Sequence, residues 1–240
     1  MRPRQERTKI SLLCMTKNPT SIGIILDGNR RWAKEHDVAS LEGHKRGSET
    51  VKNIISWAHD AGVKEVVLYA FSTENWNRSP EEISYLMQMF EGACDEWTVE
   101  MKKRNAQVRF IGERSRLSAS LREKMEETER ETQNGTNGIL WIAISYGGRA
   151  EILAGVNQLL KSGADTVSEE EFSKILWSSG MTSPDLIIRT GGEKRLSNFL
   201  TWQSVYSELF FTDTKLPDLS KEEFLSILQE YTERERRHGK

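Results

Sequence analysis

The chain has 240 residues, with 34 lysines and arginines against 36 aspartates and glutamates, a formal net charge of −2. That balance excludes a surface that neutralises nucleic-acid phosphates throughout, and two cysteines, Cys14 and Cys94, exclude a disulfide framework or a Cys-rich zinc site. No apolar run approaches the roughly 20 residues that span a bilayer, and ISLLCM near the start is too short for a signal-peptide core, so the expectation is a soluble cytoplasmic protein.

Residues 1–18 read as a flexible basic tail without periodicity. Residues 19–240 then read as a single domain, a length that α/β folds often keep in one piece. The run SIGIIL predicts a first strand, ended by the turn signal Asp27-Gly28-Asn29. Val51, Ile54, Ile55 and Ala58 recur at helical spacing and are closed by Gly62. KEVVLYAF predicts a second strand. Pro80-Glu81-Glu82 suits the first turn of a helix, and Ile83, Leu86, Met87, Phe90, Cys94, Trp97 and Met101 trace one face of it.

QVRFI predicts a third strand, followed by a charged helix around Leu117, Leu121 and Met125 and by the loop QNGTNG. ILWIAIS predicts a fourth strand, and Ile152, Val156, Leu159 and Leu160 a helix with these as its apolar positions. Ser168 and Glu171 form a capping-box pattern. DLIIR and ELFFTD predict a fifth and a sixth strand, and Phe224, Ile227, Leu228 and Tyr231 mark the last helix. Strands alternating with helices imply an α/β fold with a central, mostly parallel six-stranded sheet flanked by helices.

Open parallel sheets bind ligands beyond the carboxyl ends of their strands. Asp27 to Trp32 follow the first strand, Ser72 to Arg78 the second, Tyr146 to Arg149 the fourth and Arg189 to Arg195 the fifth. These segments share arginine, glycine and amide chemistry. Guanidinium forks bind phosphate oxygens in pairs, glycines allow close backbone approach, and a carboxylate such as Asp27 beside arginines suits Mg²⁺ held together with substrate phosphates. No Gly-x-x-x-x-Gly-Lys-Ser/Thr loop and no Gly-x-Gly-x-x-Gly after a strand appears, which leaves a nucleotide site without support.

ILDGNRRWAKE with Gly43-His44, YAFSTENWNRS, SYGGR and DLIIRTGGEKRLSNFLTWQSVYSELFFTD together resemble the signature segments of the cis-prenyltransferase (undecaprenyl diphosphate synthase) family, in order from about Pro19 to Gly239. The resemblance implies a homodimer that adds isopentenyl diphosphate units to an allylic prenyl diphosphate such as farnesyl diphosphate, using Mg²⁺. The product it implies is a long-chain polyprenyl diphosphate such as undecaprenyl diphosphate, a lipid-carrier precursor for cell-wall polysaccharide. By the same resemblance, Asp27 is the central catalytic and metal-binding residue and Asn75 the proton acceptor. Gly28, Asn29, Arg30, Arg31, Trp32 and His44 line the allylic site. Ser72, Thr73, Glu74, Trp76 and Arg78 contact substrate, and Arg189, Arg195, Leu196 and Ser197 hold isopentenyl diphosphate. Glu208 is a second metal carboxylate, and the ending Arg237-His238-Gly239 reaches a partner subunit.

An apolar tunnel is expected for the prenyl chain, walled by the helix from Pro80, with Ala70, Leu140 and Trp141 as wall or floor. Product release to a membrane implies transient contact with its surface. The chain also departs from the family pattern: Arg30 replaces a usual Gly, Ser40 a common Arg, Ser21 a frequent His, Ser145 a usual Asn and Trp141 a smaller polar residue. Ser40 and Trp141 support an alternative, a synthase of a shorter or irregular prenyl diphosphate. A non-catalytic partner subunit is a further reading, disfavoured because Asp27, Arg31, Arg78, Arg189, Arg195 and Glu208 are all present.

Overall fold

Short, nearly continuous apolar runs form the centre of the molecule, as expected of strands covered on both faces. A computed structural model describes residues 18–234. Six strands, β1 (Ser21–Ile25), β2 (Glu65–Ser72), β3 (Gln107–Ile111), β4 (Ile139–Tyr146), β5 (Leu186–Arg189) and β6 (Glu208–Phe211), make one sheet in the order β3-β4-β2-β1-β5-β6. Every pairing is parallel, with Ile25 opposite both Tyr69 and Arg189. This register brings the ends of β1, β2 and β5 to one rim.

Side chains alternate across the sheet. Ile24, Leu68, Ile142 and Ile188 join one core with Ile54, Phe90, Leu121 and Phe224. Ile25, Val67, Tyr69, Trp141 and Ile187 join a second with Phe199 and Leu200. The helices are α1 (Asn29–Glu35), α2 (Ser40–Asp60), α3 (Pro80–Arg104), α4 (Ala119–Thr132), α5 (Gly148–Ser162), α6 (Glu169–Ile175) and α7 (Lys221–Glu233). Ser79, Ser118, Ser168 and Ser220 each accept a backbone N–H from the first turn of α3, α4, α6 and α7, and Ser168 with Glu171 closes the expected capping box.

Three expectations are corrected. The turn at Asp27-Gly28-Asn29 leads directly into α1, because Gly28 takes a left-handed N-cap conformation at φ 108°. A Cβ at Gly28 would also lie 2.8 Å from Lys215 Cβ, so only glycine fits there. The α5 helix forms as expected, yet its buried positions are Gly148, Glu151 and Gly155, while Leu153, Val156 and Leu160 are exposed. The Glu151 carboxylate is buried because Tyr146, Gln203 and the backbone of Ser178 all donate to it. Leu117 precedes α4 and is buried beside its N-cap. Most of the expected tail, Cys14, and Arg237-His238-Gly239 lie outside the described residues.

Candidate active site

The rim carries one carboxylate clasped by two arginines. Asp27 follows β1, and Thr190 after β5 fixes its backbone: Asp27 N–H donates to Thr190 Oγ1 at 3.0 Å, and that hydroxyl donates to Asp27 O at 2.6 Å. Asp27 Oδ2 accepts from Arg189 Nη2 at 2.9 Å. Its Oδ1 accepts from Gly28 N–H at 2.7 Å and lies 3.0 Å from Arg31 Nη2. Burial alone would raise the carboxyl pKa, but hydrogen bonds and charge from Arg189 and Arg31 outweigh it and hold Asp27 below the usual carboxylate value.

Arg189 comes from the end of β5 and its side chain is 5% exposed. Its Nη1 donates to Ser197 Oγ at 2.8 Å and to Arg195 O at 2.5 Å, while its Nε is buried without a partner. Ser197, Asn198 and Leu200 all take left-handed conformations, at φ 50°, 67° and 46°. Three non-glycine residues in that region mark a strained loop, and the strain presents Ser197 to Arg189. Asn198 then ties this loop to the end of β2 through Glu74 Oε1 at 3.0 Å. Arg31 donates to Gly191 O at 2.5 Å. The Glu193 carboxylate lies 2.5 Å from Arg195 and 3.8 Å from Arg31, between two guanidiniums.

On the other side of the mouth, Glu82 in the first turn of α3 accepts from Arg78 and from His44 Nε2, each at 3.0 Å. His44 Nδ1 faces Asn29 Nδ2 at 3.5 Å, which fits a neutral ring with its proton on Nε2. Burial lowers the His44 pKa, Glu82 opposes this, and Arg78 and Arg30 add to the lowering. Asn75 Oδ1 accepts the backbone N–H of Ser72 at 3.0 Å and closes a capping box over the turn Thr73–Asn77.

A cavity of about 570 Å³ begins here. Its mouth holds Asp27, Asn29, His44, Arg78, Arg189 and Arg195 together with Ser72, Glu74, Asn75 and Ser197. Its interior is lined by Val51 of α2, Leu68 and Ala70 of β2, Ile142 of β4, and Leu86, Phe90 and Trp97 of α3. A second cavity of about 630 Å³ shares Asp27, Asn29, His44 and Arg78 and adds Gly28, Arg30, Arg31, Lys34 and Ser40. Residues from all four expected strand-end groups therefore meet at one rim, though not all line a cavity. Trp32 donates to Asp218, Trp76 to Ser145 Oγ, Thr73 to Glu74, and Leu196 packs on the second core. The exposed Arg149 gives its backbone N–H to Asn198 Oδ1.

Three expected positions fall elsewhere. Glu208 opens β6 level with Leu186, three residues before the level of Arg189, and pairs with Arg234 at 3.0 Å. It does not share the cavities with Asp27, and the described residues contain no cluster of three metal-ligating side chains. Trp141 lies on the opposite face of the sheet and donates to Glu65; neither it nor Leu140 lines the cavity, whereas Ala70 does. Glu82, Glu193 and Asn198 are the contributors that residue types alone did not single out. Glu82 reads as an ordinary helix-start acid, and only the fold puts His44 beside it.

Comparison with known proteins agrees with this geometry. The undecaprenyl diphosphate synthase family model matches residues 25–239. The isoprenyl transferase of Aquifex aeolicus is 42% identical over 93% of this chain and 97% of its own. The tritrans,polycis-undecaprenyl-diphosphate synthase (geranylgeranyl-diphosphate specific) of Pyrococcus abyssi is 42% identical over 92% of this chain and 87% of its own. Among solved structures, lavandulyl diphosphate synthase from Lavandula x intermedia, in complex with dimethylallyl diphosphate, superposes with a TM-score of 0.89 at 33% identity, covering 93% of this chain and 99% of that one. A rim of arginines around one aspartate, on a fold shared nearly end to end with these enzymes, places the chain in the undecaprenyl diphosphate synthase family of prenyltransferases.

Proposed function

We propose that the protein condenses isopentenyl diphosphate, with cis geometry, onto an allylic diphosphate such as farnesyl diphosphate, and releases a polyprenyl diphosphate of the undecaprenyl type for cell-wall carrier lipid. The observation that carries this is a single cavity with an arginine-rich mouth and an apolar interior, which matches a substrate with an anionic head and a hydrocarbon tail. The Glu193 carboxylate already shows how an anion sits between Arg31 and Arg195.

In this reading the second cavity takes the allylic diphosphate, with Arg30, Arg31, Lys34 and Arg78 supplying charge and the Asn29 backbone supplying a close N–H group. Donors fixed before the reaction stabilise the charge that grows on the leaving diphosphate. Arg189, Arg195 and Ser197 hold isopentenyl diphosphate with its double bond towards the allylic carbon, so that encounter becomes orientation. Asn75 is a carboxamide whose oxygen is committed to Ser72 N–H. It positions the Ser72 turn at the mouth, and the proton leaves to a diphosphate oxygen.

Mg²⁺ suits this donor set, because it commonly takes one carboxylate plus substrate phosphate oxygens. Asp27 is that carboxylate: ionised, 29% exposed and at the junction of the two cavities. The ion would neutralise diphosphate charge. Glu208 would join it only from a partner subunit, and the exposed apolar side chains Leu153, Val156 and Leu160 on α5 and Leu209 on the edge strand β6 support a homodimer. No helix among the described residues is long and apolar enough to cross a membrane. In this reading the protein stays in the cytoplasm, and its product reaches the bilayer by transient contact.

The test is incubation with Mg²⁺, labelled isopentenyl diphosphate and primers of increasing length. Cis-linked products that require Asp27 support the proposal; absence of incorporation with every primer overturns it. The lavandulyl diphosphate synthase likeness favours the second reading, an irregular short product, which the same assay would reveal as one condensation and no more.

A further inference from the structure

Polar side chains tie α2 to α3 at successive levels. His44 meets Glu82 at 3.0 Å, Lys52 Nζ meets Glu96 Oε2 at 2.7 Å, and Arg104 Nη2 donates to Ser56 Oγ at 3.3 Å. Between the first two ties α2 advances from 44 to 52 while α3 advances from 82 to 96. At 1.5 Å per residue these paths are about 12 Å and about 21 Å long, so α3 departs from α2 between them. The opening is lined by small residues, Gly47 and Ser48 on α2 and Gly92 and Ala93 on α3, all of which border the 570 Å³ cavity.

The Lys52–Glu96 pair closes the far end of that opening. Beyond it lies another cavity, of about 650 Å³, lined in part by Ile55, Val99 and Arg104. Lys52, Glu96 and Trp97 border both cavities. A methylene-sized group needs about the room of a water molecule, roughly 30 Å³, so the 570 Å³ cavity, mouth included, holds at most about four five-carbon units. A primer of three units nearly fills it. Further growth therefore needs an outlet, and the side chains of Lys52 and Glu96 are 54% and 57% exposed. A pair in that setting is held weakly and is screened by salt, while the lysine stem remains apolar when the pair opens.

We propose that the Lys52–Glu96 pair is a latch that sets product length: closed, it stops the chain near four units, and open, it passes the chain end into the groove beside Ile55, Trp97 and Val99. The inference rests on the synthase reading above. Its test is the product-length distribution of the full chain, supplied with Mg²⁺, farnesyl diphosphate and labelled isopentenyl diphosphate. Lys52→Ala/Glu96→Ala and the like-charged Glu96→Lys raise the ratio of products beyond four units about threefold, a change on the scale of an exposed pair. The reversed pair Lys52→Glu/Glu96→Lys returns the wild-type distribution. Salt near 1 M, where the Debye length is about 3 Å, lengthens wild-type products and leaves those of the double alanine variant alone. If the wild type elongates and every variant gives its distribution, the latch is overturned and the synthase reading stands. If the wild type incorporates no isopentenyl diphosphate, both are overturned.

Discussion

Arg189 Nη2 and Asp27 Oδ2 meet at 2.9 Å across the carboxyl ends of two adjacent strands, β5 and β1. The arginine is buried and the aspartate opens onto both substrate-sized cavities. The pair thus links the end of β5 to the mouth of the site.

Removing the carboxylate exposes that link. Asp27→Ala leaves Arg189 buried without its counter-charge, and the expected loss of stability is about 1–3 kcal/mol, read from urea denaturation. Prenyl transfer should fall by about a thousandfold, the scale of losing an electrostatic group at the reacting centre. The folded-state pKa of Asp27 lies below its ordinary value, so the wild type holds this stabilisation above the unfolded value and loses it as pH falls through the folded one. The alanine variant should lack that acid-limb loss.

Asn75 gives a second discrimination. Because its oxygen caps the turn after β2, Asn75→Ala should lower stability by about 1 kcal/mol. Asn75→Asp keeps an acceptor at the same place and should keep most of that stability. An unchanged urea midpoint in the alanine variant would show that the cap contributes nothing and would return Asn75 to a purely chemical role.

The strands were legible because covered parallel strands read as apolar runs, and Pro80 with its acids marked the start of α3 and the Ser168–Glu171 capping box that of α6. Helix α1 was not legible: Asp-Gly-Asn suits a turn in isolation, whereas here Gly28 takes the left-handed conformation that opens a helix. The apolar residues of α5 pointed to the wrong face, because the buried face is built on two glycines and a hydrogen-bonded glutamate, which composition counts as polar. At the site, the arginines were legible as a group from their strand-end positions. Their carboxylate partners Glu82 and Glu193 were not, since each is an ordinary surface acid until the tertiary fold brings His44 and Arg31 to it.

His44 predicts a pH dependence. Burial places its folded-state pKa below the ordinary 6.5, with Glu82 on α3 opposing and Arg78 and Arg30 assisting. A base with a depressed folded value favours the neutral native state, so the unfolded chain binds more protons below about pH 6.5 and stability falls as pH drops through that window. His44→Gln can keep the contact with Glu82 without titrating. The expected result is a flatter stability profile below about pH 6.5 in the variant, followed by thermal denaturation at fixed ionic strength; parallel profiles would refute the assignment.

Arg30 tests how this chain compensates for Ser40. Both line the second cavity with Lys34, and the Arg30 charge is felt at His44 and Arg78. Arg30 is exposed, so its phosphate contact is worth about 1 kcal/mol after solvent screening. That converts to a rise of about fivefold in KM for the allylic primer in Arg30→Gly, with KM for isopentenyl diphosphate unchanged because Arg189 and Arg195 border the other cavity. Adding Ser40→Arg to that variant puts a guanidinium back on the same cavity wall and should recover most of the loss, more so at low salt. A fivefold change in both KM values would instead mean that Arg30 acts on the whole mouth, and no change in either would mean that Lys34, Arg31 and Arg78 already supply all the charge the allylic diphosphate uses.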